Sequence, residues 1–286
     1  MSDLVKIHRW PTLDRPVLVM ALDGWVDAGL AAGSAAATLR TSLPHHLLAT
    51  FDSDRLIDHR ARRPTLRIKN GVPTELRWPE IRLDVAVVSP AGRSILMLTG
   101  PEPDMRWHEW SHEVVQLVSR LGVELVVGLG AFPAPVPHTR PVRLVSTGNN
   151  PENAGRIGFL PVTLDVPTGA QGVLEFGFGQ AGIPTIGLWA RVPHYVAGMP
   201  YPAASAALLR DLGNLIGLTV DTGALQEAAA STGAQIDELI SASDEHQAMV
   251  HQLEAQHDNE ETVTLQELPT GDEIAAELER FLKGQS

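Results

Sequence analysis

The chain carries His108-Glu109-Trp110-Ser111-His112, the H-E-x-x-H order in which a helix holds two imidazoles one turn apart to grip zinc while the intervening glutamate activates the metal's water. The surroundings do not develop that chemistry. Trp107, Trp110, Val114, Leu117, Val118 and Leu121 form the apolar stripe that such a helix buries, which leaves both histidines at its edge. Glu113 follows the second histidine, where zinc-protease helices carry an uncharged residue, and no glycine–histidine run follows to supply a third ligand. A surface helix without a metal is expected here.

Gly177-Phe178-Gly179-Gln180-Ala181-Gly182 spells G-x-G-x-x-G, which binds a dinucleotide when it joins a strand to the helix that follows. Here the order is reversed. A helical segment precedes the glycines and the strand Pro184–Ala190 follows, so no helix start faces the loop. The pattern reads instead as a helix end, with Gly182 left-handed before Pro184. No cofactor is expected.

The candidate ligand-binding residues lie at the ends of apparent strands, where open α/β sheets place their crevices. The first strand ends in Leu22-Asp23-Gly24 and leads through Asp27 into a helix. Two Val-Pro-His turns place His138 with Arg140 after one strand, and His194 with Arg191 and Tyr195 after another. Parallel neighbouring strands would bring these imidazoles and guanidiniums together as a site for an anion. Structural roles compete with this: Asp27 suits a helix N-cap, Arg140 an ion pair, and the prolines a stiff loop. No nucleophile, base and orienting group stand together as a catalytic set.

Alternating elements must position these residues. Pro16–Gly24 reads as a fully buried strand, an apolar run closed by glycine, and Asp27–Leu43 is a helix of small residues fit for close packing on a sheet. His45–Asp52 is a second strand. Thr65–Gly71, Thr74–Trp78, Leu83–Ser89 and Arg93–Gly100 read as antiparallel strands with short turns such as Asn70-Gly71. A helix over 104–121, strands at 123–130 and 142–148, a helix over 169–182 and the strand 184–190 complete the body as a three-layer α/β domain.

From Tyr201 the chain reads as helix. Ala203–Gly217 is apolar, and Leu225, Ala229, Thr232, Ile236, Leu239, Ser243, His246, Val250 and Leu253 then recur at steps of three and four. A break is expected over Glu261–Pro269, before a short amphipathic helix with Ile274, Leu278, Phe281 and Leu282 on one face. The division is an α/β domain over 1–221 and an acidic helical extension over 222–286.

Charge follows that division. From Ala224 onward lie fourteen of the 34 acidic residues but only two of the 22 basic ones, so this segment carries the whole net charge of −12. A neutral body with an acidic extension speaks against nucleic acid or anionic membrane as a partner, since both require a basic surface. The absence of cysteine excludes disulfides, iron–sulfur clusters and thiolate zinc sites. With no uninterrupted apolar run near Met1, the chain is expected in the cytoplasm.

Five segments carry a resemblance. Gly24–Gly29 (GWVDAG), Glu102–Trp107 (EPDMRW), Leu129–Pro141 (LGAFPAPVPHTRP), Pro167–Leu174 (PTGAQGVL) and Gly182–Val196 (GIPTIGLWARVPHYV) together resemble the proteasome assembly chaperone 2 family, in particular its actinobacterial branch. The resemblance implies a nucleoside-phosphorylase-like α/β fold with a mixed sheet, a helical C-terminal part and self-association as a trimer. It further implies a non-catalytic, protein-binding role with proteasome-related partners. The hydrophobic-Tyr-X docking tail of some members is missing: the sequence ends FLKGQS, and its tyrosines are Tyr195 and Tyr201. The expectation from another class is an enzyme or binder of a small anionic or nucleoside-like ligand at the strand ends.

Overall fold

A computed structural model of the chain describes residues 3–24, 26–87, 93–159, 163 and 165–265. In chain order the elements are β1 (Val5–Ile7), β2 (Val17–Asp23), α1 (Ala31–Ser42), β3 (His45–Phe51), α2 (Ser53–Leu56), β4 (Thr65–Lys69), β5 (Val72–Arg77), β6 (Arg82–Val87) and β7 (Ser94–Pro101). There follow α3 (Trp107–Arg120), β8 (Leu125–Ala134), β9 (Leu144–Gly148), α4 (Pro151–Ala154), α5 (Ala170–Gln180), β10 (Thr185–Pro193), α6 (Pro202–Ile216), α7 (Gly223–Ser241) and α8 (Asp244–Leu265).

Eight strands form one mixed sheet in the order β1-β3-β6-β7-β2-β8-β10-β9. The centre, β7-β2-β8-β10, is parallel, and the flanking pairs are antiparallel. The reason is visible in β2, whose residues from Val17 to Ala21 are all buried. Val17, Val19 and Ala21 enter one core while Leu18 and Met20 enter the other, so neither face tolerates water. The first core lies under α1 and α6, where Ala31, Ala35, Ala204 and Ala207 let two helices approach the sheet and each other. The second lies under α3 and α5, filled by Trp110, Val114, Leu117, Leu174 and Phe178. The result is the three-layer α/β body with a helical C-terminal region.

The H-E-x-x-H and G-x-G-x-x-G motifs have the following surroundings. His108 and His112 are exposed on the outer side of α3, and Glu109 pairs with Arg106 at 2.6 Å and Arg55 at 3.8 Å. The glycine pattern ends α5: Gly182 has φ +73°, and the Ile183 N–H reaches back to the Phe178 carbonyl at 2.9 Å.

Two features of the elements go beyond the sequence reading. Strands β4 and β5 do not extend the main sheet; they form a separate hairpin with every residue exposed. Its tip is Asn70 (φ +52°) and Gly71 (φ +80°), the paired positive φ of a type I′ turn. The apolar stripe of the extension is not carried by one helix either. It breaks at Ala242-Ser243, where the Ser243 hydroxyl oxygen accepts the His246 N–H at 3.4 Å and Asp244 and Glu245 occupy the favoured first turn of α8. Residues 261–265, expected within a break, belong to α8. The final helix expected after Pro269 lies outside the described residues. No described helix is long and apolar enough to cross a membrane.

Candidate functional site

Strands β8 and β10 run parallel with Ala134 beside Pro193, so the loops that follow them leave the sheet at the same edge. Pro135, Pro137 and Pro141 fix φ along the first loop and stiffen it. The second tightens at once into a 3-10 turn, His194–Val196. His138 and His194 flank Tyr195, each ring edge-on to the phenol, with centroids 5.8 and 5.4 Å away.

The polar order around Tyr195 fixes its protons. The backbone N–H of His138 donates to the tyrosine oxygen at 2.8 Å, which directs the hydroxyl hydrogen to Nδ1 of the same histidine at 2.7 Å. Nδ1 is then the acceptor, so Nε2 bears the hydrogen and donates to Asp237 of α7 at 3.0 Å. The His138 side chain is only 4% exposed. A Tyr–His–Asp chain has the connectivity of an acid–base relay, but burial pushes the Tyr195 hydroxyl up to about 12. At neutral pH the phenol keeps its proton. The arrangement ties the two strand-end loops to α7.

Next to it, Arg140 grips α8. Its Nε and Nη2 donate to the two carboxylate oxygens of Asp258 at 2.9 and 2.8 Å, and its Nη1 donates to Glu254 at 3.2 Å. The Thr139 hydroxyl donates to the same Glu254 oxygen at 2.5 Å. These contacts hold both acids below the usual carboxylate range, Glu254 chiefly through Thr139 and Asp258 chiefly through Arg140. The same pairing raises the Arg140 guanidinium. The cationic strand-end loop therefore already has its anions, and they come from the chain's own acidic extension.

Apolar contact carries most of the attachment. Ile236, Val250 and Leu253 are buried, and each such side chain contributes roughly 1.5–3 kcal/mol. The exposed ion pairs set register and add little energy. Beside them a groove of about 850 Å³ runs between α6, the start of α7 and the His138–Val142 segment.

The remaining candidates do other work. Asp27 accepts the N–H groups of Ala32 (2.7 Å) and Gly33 (2.9 Å), so its carboxylate serves the start of α1. Asp23, at the end of β2, is raised by desolvation and by neighbouring Asp27, against the opposing Arg62. Arg191 is half-buried, and with Arg143, His257 and Tyr201 it borders a void of about 10 Å³. The structure thus joins His138, Arg140, His194 and Tyr195 and gives Asp27 a structural role. Asp237, Glu254 and Asp258 complete the cluster but were not singled out by sequence reasoning, although the acid excess after Ala224 is the trace they leave there.

The quoted motifs also meet one another. Glu102 accepts the Ala170 N–H at 3.0 Å and so caps α5 across the sheet end. Gly24 leaves room for it there, because an added Cβ would fall 2.1 Å from the Glu102 side chain and force it to shift. Gly29 (φ +68°) hydrogen-bonds Ala197 and Tyr201 through its N–H and carbonyl, both at 2.8 Å, tying the β2–α1 loop to the β10–α6 loop.

Comparison with known proteins accounts for this convergence. The PAC2 family model matches residues 21–240. A comparison with curated proteins gives no match. Among solved structures, a Corynebacterium glutamicum protein of unknown function is 35% identical over 90% of this chain and 98% of its own, with a TM-score of 0.82. A Mycobacterium tuberculosis proteasome-assembly chaperone homologue is 35% identical over 82% of this chain and 99% of its own, with a TM-score of 0.75. A PAC2 family protein from Streptomyces avermitilis is 37% identical over the same two shares, with a TM-score of 0.75. Since the family model runs from the end of β2 to the last turn of α7, including both strand-end loops, the chain belongs to the PAC2 family.

Proposed function

We propose that this chain is a non-catalytic, homo-oligomeric protein-binding protein of the assembly-chaperone type, acting in the cytoplasm on proteasome-related partners. The observation that carries this reading is the occupancy of the strand-end loops: the polar groups of His138, Thr139 and Arg140 are bonded to the acidic helical surface of α7 and α8. Support for the kind of partner comes from the Mycobacterium tuberculosis relative described as a proteasome-assembly chaperone homologue. The neutral body and acidic extension disfavour nucleic acid and anionic membranes. Self-association, proposed as a trimer, suits the hairpin, where Leu66, Ile68, Val72 and Leu76 stand at least half or nearly half exposed.

The test mixes the purified chain with recombinant proteasome core subunits of the same organism and follows complexes by native mass spectrometry. A stoichiometric complex at micromolar concentration, with a faster appearance of assembled core, is expected. Absence of any complex would remove the proteasome link. A parallel thermal-shift series with phosphate and nucleosides separates the other class of function: a saturable rise in melting temperature would replace protein binding by small-ligand binding at the strand ends.

A further inference from the structure

At the opposite end of the sheet from the strand-end loops, a second polar constellation lies against bare backbone. Gly187 of β10 and Gly128 of β8 are register partners. A Cβ added to either would fall 2.7 Å from Oε1 of Glu175, so the carboxylate rests directly on this glycine pair. Gly130, on the same strand face, is covered by the Trp189 ring in the same way, with an added Cβ 2.4 Å from it. Any side chain at these three positions would displace the residues above them.

Those residues are linked in a line. The Trp189 indole N–H donates to the Thr147 hydroxyl oxygen at 3.1 Å, Thr147 donates to Glu175 Oε2 at 3.1 Å, and the Gln171 amide donates to Oε1 at 3.2 Å. All of these donors are neutral. Among the described residues no Lys, Arg or His is paired with Glu175, yet its carboxylate borders a cavity of about 600 Å³ together with Thr147, Asn149, Phe176 and Thr185. Phe176, the next residue along α5, is 71% exposed at the rim. Desolvation pushes the Glu175 carboxyl up to about 6, so at neutral pH it is an anion in a poor solvent with no counter-ion among the described residues. A carboxylate in that position attracts a cation, its two oxygens match a planar fork better than a point charge, and an exposed phenyl face favours a guanidinium over an ammonium.

The geometry points to this cavity as the seat of a single guanidinium group, carried either by an arginine of a protein partner or by a free guanidino compound. The site is separate from the strand-end loops and does not rest on the reading of those loops.

The chain labelled with 5-fluorotryptophan provides the test, with the Trp189 resonance assigned by Trp189→Phe. Agmatine stands for the free compound, N-acetyl-arginine amide for the protein side chain, and N-acetyl-citrulline amide for the neutral isostere. Both cations should shift the Trp189 signal saturably, and the citrulline analogue should bind at least tenfold more weakly. Glu175→Gln should abolish the shift, Phe176→Ala should weaken it severalfold, and the affinity of the unaltered chain should fall as pH drops below 6. A severalfold preference for N-acetyl-arginine amide over agmatine assigns the site to a partner's arginine, and the reverse assigns it to a free compound. Equal binding of the citrulline analogue, or binding indifferent to both Glu175→Gln and pH, would overturn the proposal.

Discussion

At the scale of single residues, the clearest consequence lies in Glu175. Its folded-state carboxyl sits at about 6, above the ordinary value for glutamate. A raised acid gives a stability contribution that is complete below pH 4 and lost as pH rises through 6. At pH 8 the folded chain therefore carries a penalty of about 1–2 kcal/mol for keeping this carboxylate ionised. Glu175→Gln should raise the melting temperature by a few degrees at pH 8 and leave it unchanged at pH 4, since Gln171 can turn its amide to suit the new neighbour. Equal effects at both pH values would show that the residue is an ordinary hydrogen-bonding partner. Sequence reasoning passed over Glu175 because a lone glutamate in a helix looks like any surface residue. Its significance comes from Gly128 and Gly187, which are distant in sequence and meet only when β8 and β10 pair. His138 and His194 were legible for the opposite reason: each follows its strand directly, so parallel pairing alone brings them together.

At the scale of elements, the β4–β5 hairpin is the least explained by its own chain. Leu66 faces Leu76 across the pair, while Arg67, Glu75 and Arg77 make ion pairs of 3.4 and 3.2 Å among themselves. The alternation is that of a half-buried ribbon, yet every residue is exposed. A two-stranded ribbon is marginal alone, so a second copy of the chain is the proposed cover. Leu66→Ser combined with Leu76→Ser should convert the proposed oligomer into single chains of 30.8 kDa by light scattering, and those chains should still unfold cooperatively because neither side chain enters a core. A persisting oligomer would move the self-contact elsewhere. Most strands and helices of the body were legible from period-2 and period-3.6 patterns, as was the short turn at Asn70-Gly71, whereas β1, α2 and α4 were too short to leave such a pattern. Sheet membership was not: alternation in β4 and β5 specifies a strand with one apolar face but does not say what covers it. The split between α7 and α8 was missed because the apolar spacing continues through Ala242-Ser243, and the local capping chemistry of Ser243 outweighs that periodicity.

At the scale of the whole molecule, the parallel centre of the sheet places one polar cluster at each end. The end that receives α7 and α8 explains where the charge asymmetry goes. The body is neutral in sum, but its strand-end loops present Arg140 and His138 to Asp237, Glu254 and Asp258. Because Glu254 and Asp258 are held below the usual carboxylate range, their contribution is present at neutral pH and lost only as pH falls through and below about 4, where both become protonated. Buried Ile236, Val250 and Leu253 hold the extension in place, and the charges define where it rests. The central claim is that the strand-end loops are a docking surface for acidic helices, presently engaged by the chain's own extension. Hydrogen exchange read by mass spectrometry over residues 244–259, comparing the unaltered chain with Arg140→Glu, tests it most directly. The account predicts that placing a like charge against Glu254 and Asp258 speeds exchange in α8 at least severalfold while β2, β8 and β10 keep their protection. Unchanged exchange in α8 would contradict it, leaving the extension held by apolar contact alone and the loops without a role in recognising it.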